Sequence, residues 1–124
     1  MNLIYLASPY LYRVKFHKDI SEAMRKRTCE IHQEERYQKA IDATAYLMKK
    51  GLAVYSPIVA THPVAVKHEL PLGSEYWMQF DEIILSKCDE MYVLMIDGWK
   101  DSPGVQREIE IAKKMKIHIS YFEL

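Results

Sequence analysis

The stretch SPGVQREIEIAKK, residues 102–114, places a carboxylate on the apolar side of a predicted helix. Ser102 is a favourable N-cap, and the proline that follows it suits the first helical position. At about 100° per residue the apolar side chains form one arc, and Glu108 falls inside that arc. A carboxylate that faces a core needs a proton, a partner or a catalytic task, because burying an isolated charge is costly.

A second acidic residue, Asp81, lies between Trp77 and Leu85 on the apolar side of the helix predicted over residues 74–88. Each carboxylate has a structural alternative: Glu108 would pair with a buried Arg or Tyr, and Asp81 would cap a neighbouring element. Two such residues in so short a chain favour a catalytic pair. Glu108 also lies near a helix N-terminus, where the dipole stabilises an anion, and an ionised carboxylate in a dry pocket suits a nucleophile.

The start of the helix that carries Glu108 has the features of an anion site. Gly104 permits close approach of the backbone, and the unpaired N–H groups at a helix start bind phosphate or carboxylate. Ser102 adds a hydroxyl at the same place. An ordinary helix cap is the structural alternative for these residues.

Four apolar runs predict buried strands, and helical patterns separate them. The predicted strands are residues 2–8, 51–58, 90–96 and 117–122. Apolar side chains recur at helical spacing over residues 36–51, 74–88 and 102–114. The alternation of strand and helix predicts an α/β fold with a parallel sheet, in one domain over residues 1–124.

Ligands of open parallel sheets bind beyond the carboxyl ends of the strands. In this chain that rule selects the predicted loops 7–13, 56–62 and 97–104, which carry polar side chains, and the end of the chain. The pattern is weaker over residues 11–33. There, Ser21 would cap a helix that runs into the next one, or the segment would form a mobile flap.

Composition limits the possible settings. The chain has 124 residues, is 49% hydrophobic, and carries 17 basic and 17 acidic side chains, so its net charge favours neither nucleic acid nor an anionic membrane as partner. No apolar run is long enough to cross a bilayer, and no signal-peptide layout precedes the first strand. Cys29 and Cys88 lack metal-type spacing, which favours free thiols in the cytoplasm, with a disulfide between them as the alternative.

Four motifs resemble one known family. They are YLASPY near the start, GLAVYSPI in the middle, W-x-x-x-D followed by C-D, and G-W-x-x-S-x-G-V-x-x-E-x-x-x-A near the end. Together they resemble the nucleoside 2-deoxyribosyltransferase-like superfamily, and within it a small phage and bacterial branch. The resemblance covers nearly the whole chain except residues 11–33. It implies a flavodoxin-like (Rossmann-like) three-layer fold, with four to five parallel strands, and cleavage of N-glycosidic bonds.

The resemblance also implies roles for individual residues. Glu108 matches the nucleophile, which attacks the anomeric carbon of the sugar and forms a glycosyl-enzyme intermediate. Asp81 matches the aspartate that assists protonation of the leaving base. Tyr5 and the turn Ser8-Pro9-Tyr10 match the first loop, which contacts the sugar and the base. No cofactor is expected.

One departure from the transferase pattern is informative. The transferases carry an aspartate six residues before the nucleophile, in D-x-G-T-x-x-E, and this chain has Ser102 there. The deoxynucleoside 5′-monophosphate N-hydrolases resemble the second pattern, with the serine contacting phosphate. The resemblance therefore implies hydrolysis of a nucleoside 5′-monophosphate. A base-exchanging transferase is the near alternative, and a nucleotide-binding module without turnover is the third.

Five further residues are candidates for substrate contacts, each with a structural alternative. Asp97 would contact the ribose or cap a loop, and Trp99 would stack on a base or plug the rim of the pocket. His62 would contact phosphate or base, or pack within its loop. Arg36 and Arg13 would bind phosphate or remain surface charges. The other histidines have no ligand spacing, so no metal is expected.

The helix predicted over residues 74–88 carries apolar side chains on more than one side, which indicates a surface for a protein partner. Members of the superfamily that the chain resembles likewise form dimers or larger assemblies. We therefore expect a homodimer or a multiple of it.

Overall fold

The computed structural model describes residues 2–11, 20–70 and 75–124. Strands and helices alternate along them. In chain order the elements are β1 (Leu3–Ala7), α1 (Glu22–Lys49), β2 (Ala53–Tyr55), α2 (Pro57–Lys67), α3 (Glu75–Ser86), β3 (Glu90–Leu94), α4 (Pro103–Lys114) and β4 (His118–Phe122).

The four strands form one parallel sheet in the order β2-β1-β3-β4. Successive side chains of β1 point to opposite faces, as a strand requires. Tyr5 and Ala7 pack with buried residues of α3 and α4, whereas Leu6 packs with Ala43 and Leu47 of α1. Both faces of the sheet are therefore covered, and the predicted three-layer α/β fold with a parallel sheet is confirmed.

The carboxyl ends of β1 and β3 form the place where a ligand of such a sheet is expected, because the strand order reverses there. The two strands are also tied at their other ends. The N–H of Leu3 donates to Oδ2 of Asp89 at 2.7 Å, and the N–H of Asp89 donates to the carbonyl of Leu3 at 2.8 Å. The C-D motif thus holds the sheet together at the edge away from the ligand side.

The chain after β2 differs from the sequence prediction. The strand predicted over 51–58 spans only Ala53–Tyr55, and the loop predicted over 56–62 is wrong, because a helix begins there. Oγ of Ser56 accepts a hydrogen bond from the N–H of Val59 at 3.2 Å, which makes Ser56 an N-cap followed by proline. An internal proline, Pro63, interrupts the helical pattern and hides the helix in the sequence.

The weakly patterned segment 11–33 is helical from Glu22 onward, as the capping alternative predicts. Oγ of Ser21 accepts from the N–H of Met24 at 3.1 Å and starts α1, which runs for 28 residues. Gly51, with φ of +85°, follows the end of α1 and supplies the left-handed backbone that stops it. Arg13 and the rest of 12–19 lie outside the described residues. Within the described part of the chain, no helix is both long and apolar enough to span a membrane.

Candidate active site

A cavity of about 380 Å³ opens beyond the carboxyl ends of the strands. Its wall is built from the loop after β1, the first turns of α2, one side of α3 and the start of α4. The side chains that chemistry can use are those of Ser8, Tyr10, Thr61, Trp77, Asp81, Asp101, Ser102 and Glu108. The volume suits a small molecule of roughly nucleoside size, since ligand pockets typically measure about 300–1,000 Å³.

Glu108 faces this cavity from α4. Val105, Ile109 and Ala112 of α4 are buried in the core. Because Glu108 lies on the same side of the helix as these residues, its side chain points toward the interior. Its carboxylate accepts a hydrogen bond from the hydroxyl of Tyr5, which is completely buried in β1. The structural alternative for Glu108 was a pairing with a buried Arg or Tyr. The residue that hydrogen-bonds to it is a tyrosine, Tyr5.

The surroundings of Glu108 favour its protonated form. Burial raises the pKa of its carboxyl to about 8, the hydrogen bond from Tyr5 opposes this rise, and the charge of Asp81 adds to it. Burial and the charge of Glu108 raise the pKa of Tyr5 well above its usual value, so Tyr5 stays a hydroxyl and a donor. Near neutral pH the site therefore holds Glu108 mainly as the carboxylic acid, and the hydrogen bond from Tyr5 offsets only part of the cost of its anion.

Asp81 shares the cavity with Glu108. Burial raises the pKa of its carboxyl to about 6. Its Oδ1 is buried, and no described residue hydrogen-bonds to it, so the cap expected under the structural alternative is not observed for that atom. A buried polar atom without a partner is costly, and a hydrogen-bonding group of a ligand in the cavity would satisfy it.

The two carboxyl groups interact, so their pKa values of about 6 and about 8 belong to the pair. Between those values the pair holds one proton. Because the pKa of Glu108 is the higher of the two, this proton lies mainly on Glu108 in the empty cavity. A nucleophilic Glu108 and an acidic Asp81 require the other arrangement, with the proton on Asp81, which is the less populated of the two.

The start of α4 forms another part of the wall. Oγ of Ser102 accepts from the N–H of Val105 at 3.3 Å, and this N-cap leaves the hydroxyl proton of Ser102 for another acceptor. Gly104 lines the cavity beside it. The helix dipole favours an anion here, whereas the neighbouring carboxylate of Asp101, which also lines the cavity, opposes one.

Comparison with known proteins places the chain in a family. A family model described as a domain of unknown function (DUF1937) matches residues 2–124. The chain belongs to this family. No curated protein matches it. Among solved structures, the chain is similar to a 2-deoxyribosyltransferase from the psychrotolerant bacterium Bacillus psychrosaccharolyticus. The identity is 21%, the TM-score is 0.56, and the match covers 98% of this chain and 72% of that one.

This likeness concerns the fold, and it agrees with the flavodoxin-like arrangement predicted for the DUF1937 chain. The candidate site residues are therefore identified from the chain's own geometry. Six of the residues predicted from the sequence come together around the cavity: they are Glu108, Asp81, Ser8, Tyr10, Ser102 and Gly104. Tyr5 lies behind this wall and reaches it through Glu108.

Arg36 does not line the cavity. Its guanidinium donates to the carbonyl of Leu11 at 2.6 Å and to the carbonyl of Asp97 at 3.3 Å. A Cβ on Gly98 would lie 2.6 Å from Nη2 of Arg36, so glycine leaves room for this contact. Arg36 thus joins the loop after β1 to the loop after β3, and the exposed side chain of Asp97 lies outside the cavity wall.

The three other predicted contacts also pack away from the cavity. Trp99 packs against the core, with its ring centroid 5.6 Å from that of Tyr121. Pro9 is fully buried. His62 lies inside α2, is 6% exposed, and hydrogen-bonds to the Tyr10 hydroxyl and to Glu34.

Sequence reasoning missed several residues of the wall. Trp77 and Met78 line it from α3, Thr61 from α2 and Asp101 from the loop before α4. Trp77 lies one helical turn before Asp81, and this spacing is the signal that could have identified it. Its aromatic ring offers a surface on which a nucleobase can stack.

Metal and thiol chemistry receive no support from the described residues. Over 2–11, 20–70 and 75–124, no group of three His, Cys, Asp or Glu side chains is arranged to hold a metal ion. Cys29 and Cys88 do not form the disulfide that was the alternative. Burial raises the pKa of the Cys88 thiol to about 11, which makes it a poor nucleophile at neutral pH.

Proposed function

We propose that this protein hydrolyses the N-glycosidic bond of a nucleoside 5′-monophosphate, with Glu108 as nucleophile and Asp81 as general acid. The observation that carries the proposal is the pair of carboxyl groups in one cavity, with Tyr5 donating to Glu108 and Oδ1 of Asp81 left without a described partner. The fold shared with a 2-deoxyribosyltransferase supports it, because that enzyme also processes nucleosides.

The reaction would proceed by double displacement. A carboxylate oxygen of Glu108 bonds to C1′ of the sugar while the C1′–N bond breaks, and the base nitrogen takes the proton of Asp81. Water then attacks C1′, gives its proton to Asp81, and releases the sugar from Glu108. This is the two-carboxylate logic of retaining glycosidases, applied to a nitrogen leaving group.

The cavity offers complementary groups for both ends of such a substrate. Trp77 and Met78 supply an apolar surface for the base on the same helix as Asp81. The hydroxyl of Ser102 and the N-terminus of α4 supply the phosphate site. The base therefore lies next to the acid that protonates it.

A neutral nucleoside, as substrate of a hydrolase or a base-exchanging transferase, is the second candidate. One observation favours it: the described wall carries the carboxylates of Asp81, Asp101 and Glu108, and neither Lys nor Arg is among the described residues that form it. Negative potential in a confined cavity repels a phosphate dianion.

Free-base release from a panel of nucleosides and their 5′-monophosphates, followed by chromatography, tests the proposal. We expect the monophosphates to be cleaved with a kcat/KM about tenfold or more above that of the nucleosides, since a charge-assisted hydrogen bond contributes roughly 1.5–3 kcal/mol. Equal or faster cleavage of nucleosides would select the second candidate. Tight binding without base release would indicate a binding module.

Ser102→Asp is the matched variant for the same panel. An aspartate keeps the N-cap acceptor that Ser102 provides to Val105, while its charge repels phosphate. We expect it to slow cleavage of monophosphates and to spare nucleosides. Equal losses on both substrates would mean that Ser102 does not contact phosphate.

We also propose a homodimer that buries the outer face of α3. Tyr76 and Ile83 are 64% and 61% exposed, and Tyr76 packs against Trp77 and Phe80 to form an aromatic surface. Light scattering at micromolar concentration should give a mass twice that of one chain. The Ile83→Glu variant should give the mass of a single chain. A monomer with full activity would contradict this proposal.

A further inference from the structure

A hydrogen-bonded chain of three side chains ends at the cavity. Nε2 of His62 lies 2.8 Å from Oε2 of Glu34, and Nδ1 of His62 bonds to the hydroxyl of Tyr10, which lines the cavity. Glu34 lies on α1, His62 lies on α2, and Tyr10 lies in the loop after β1. None of them takes part in the double displacement.

The histidine in the middle is held rigidly. It is 6% exposed, the ring of Tyr37 stacks on it at 4.3 Å between centroids, and the ring of Tyr10 meets it edge-on at 5.4 Å. Both ring nitrogens have partners. The orientation of the Tyr10 hydroxyl is therefore determined by the protein before any ligand enters.

With a neutral imidazole, these hydrogen bonds allow only one arrangement of protons. The hydrogen bonds from Gln38 and His62 lower the pKa of Glu34, so its carboxylate only accepts and Nε2 of His62 carries a proton. In the neutral imidazole, Nδ1 then accepts the proton of the Tyr10 hydroxyl. Burial and the charge of Glu34 raise the pKa of Tyr10, so it remains a hydroxyl.

Tyr10 thus offers the cavity an oxygen whose proton is already engaged. Such an oxygen can only accept a hydrogen bond from a ligand. The same loop supplies Ser8, which lines the cavity, is 8% exposed, and whose Oγ has no hydrogen-bond partner among the described residues. A polar group of a ligand in the cavity would be able to hydrogen-bond to this hydroxyl.

We propose that Glu34 and His62 are positioning residues that turn the proton of Tyr10 away from the cavity, so that Tyr10 selects substrates carrying a hydrogen-bond donor. The inference rests on the proposed function for the substrate class, a nucleoside or its 5′-monophosphate. The donor is a sugar hydroxyl or the amino group of the base.

Equilibrium binding tests the inference, in a Glu108→Gln background that keeps the ligands intact. The probes are adenosine and cytidine, free and as 5′-monophosphates, and analogues lacking the 2′-hydroxyl, the 3′-hydroxyl or the base amino group. We expect loss of one of these donors to weaken binding about tenfold. The Tyr10→Phe variant should bind the intact probe as weakly as the unchanged Tyr10 protein binds the analogue that lacks the important donor. This variant should therefore bind the intact probe and that analogue with equal affinity.

Variants of the positioning residues separate this role from a structural one. Glu34→Ala should reduce the discrimination between probe and analogue, and Glu34→Gln should restore it, because an amide oxygen still accepts from Nε2 of His62. Glu35→Ala is the matched control: Glu35 is 60% exposed and pairs with His32. The Glu35→Ala variant should discriminate between probe and analogue as well as the Glu108→Gln protein without a further substitution.

The outcomes distinguish the two proposals. Base release by the unmodified protein, together with full discrimination in Tyr10→Phe or Glu34→Ala, would overturn only the role of this chain of residues. Stronger binding of analogues that lack every donor would also overturn it, since Tyr10 would then be donating. Absence of binding by all probes would overturn the role of this hydrogen-bonded chain, and absence of base release across the whole panel of nucleosides and 5′-monophosphates would in addition overturn the proposed function.

Discussion

Replacing Glu108 by Gln is expected to abolish base release and to leave the fold intact. We expect kcat/KM to fall on the order of 10³-fold or more, because an amide keeps the shape of the side chain but cannot form the bond to C1′. Glu108→Ala should behave in the same way. Chromatographic measurement of free base from the best substrate of the panel checks both variants, with Glu110→Gln as control, because Glu110 is exposed on the same helix.

The same variants have an expected effect on stability, whose sign follows from the pKa of Glu108. Its folded-state value of about 8 lies above the usual 4.5, so the folded protein retains a proton that the unfolded chain has lost. The stability associated with this proton is complete below pH 4.5 and is lost as the pH rises toward 8. Glu108→Gln should therefore melt at a higher temperature than the unmodified protein at pH 8, with a difference that shrinks toward pH 5.

A structural role for Glu108 predicts the opposite pattern. Breaking a buried ion pair would cost roughly 3–5 kcal/mol of stability. However, the partner observed here is the neutral hydroxyl of Tyr5. A Glu108→Ala protein that melts far lower and still cleaves at a normal rate would mean that another group performs the chemistry.

Asp81→Asn should lower kcat/KM by about 10²–10⁴-fold on ordinary nucleobases, the range typical of a lost general acid. The base leaves poorly as an anion, and the amide cannot supply its proton. The loss should be much smaller on 7-methylguanosine or its 5′-monophosphate, whose base already carries a positive charge and leaves without a proton. Equal losses on methylated and unmethylated substrates would show that Asp81 does not act as the acid.

The pH dependence of the same variant gives a second measure. In the unmodified protein, kcat/KM should rise through about pH 6, as the pair loses its first proton, and fall through about pH 8, as it loses the second. In Asp81→Asn only Glu108 titrates, so the alkaline decrease should disappear. Persistence of that decrease would assign it to a group other than Asp81.

The sequence by itself determined the elements whose signals are local. The helical period of the apolar residues predicted that Glu108 and Asp81 face the core from their helices. Ser102, followed by a proline, predicted the start of α4. The apolar runs predicted the four strands, and the two central ones, β1 and β3, show little alternation because they are covered on both faces of the parallel sheet. Where a local signal was misread, as at Ser56, the same N-cap and proline were present but lay inside an apolar run.

Only the tertiary structure decided which of these residues act together. Tyr5 and Glu108 are 103 positions apart, and Tyr10 and His62 are 52 apart, so no periodicity relates them. Packing also turned Arg36 onto two carbonyl groups and brought Trp77 into the wall of the cavity. Helical and strand periods describe one element at a time, whereas burial, the pKa of a carboxyl and the partner of a hydroxyl depend on how different elements pack around the same space.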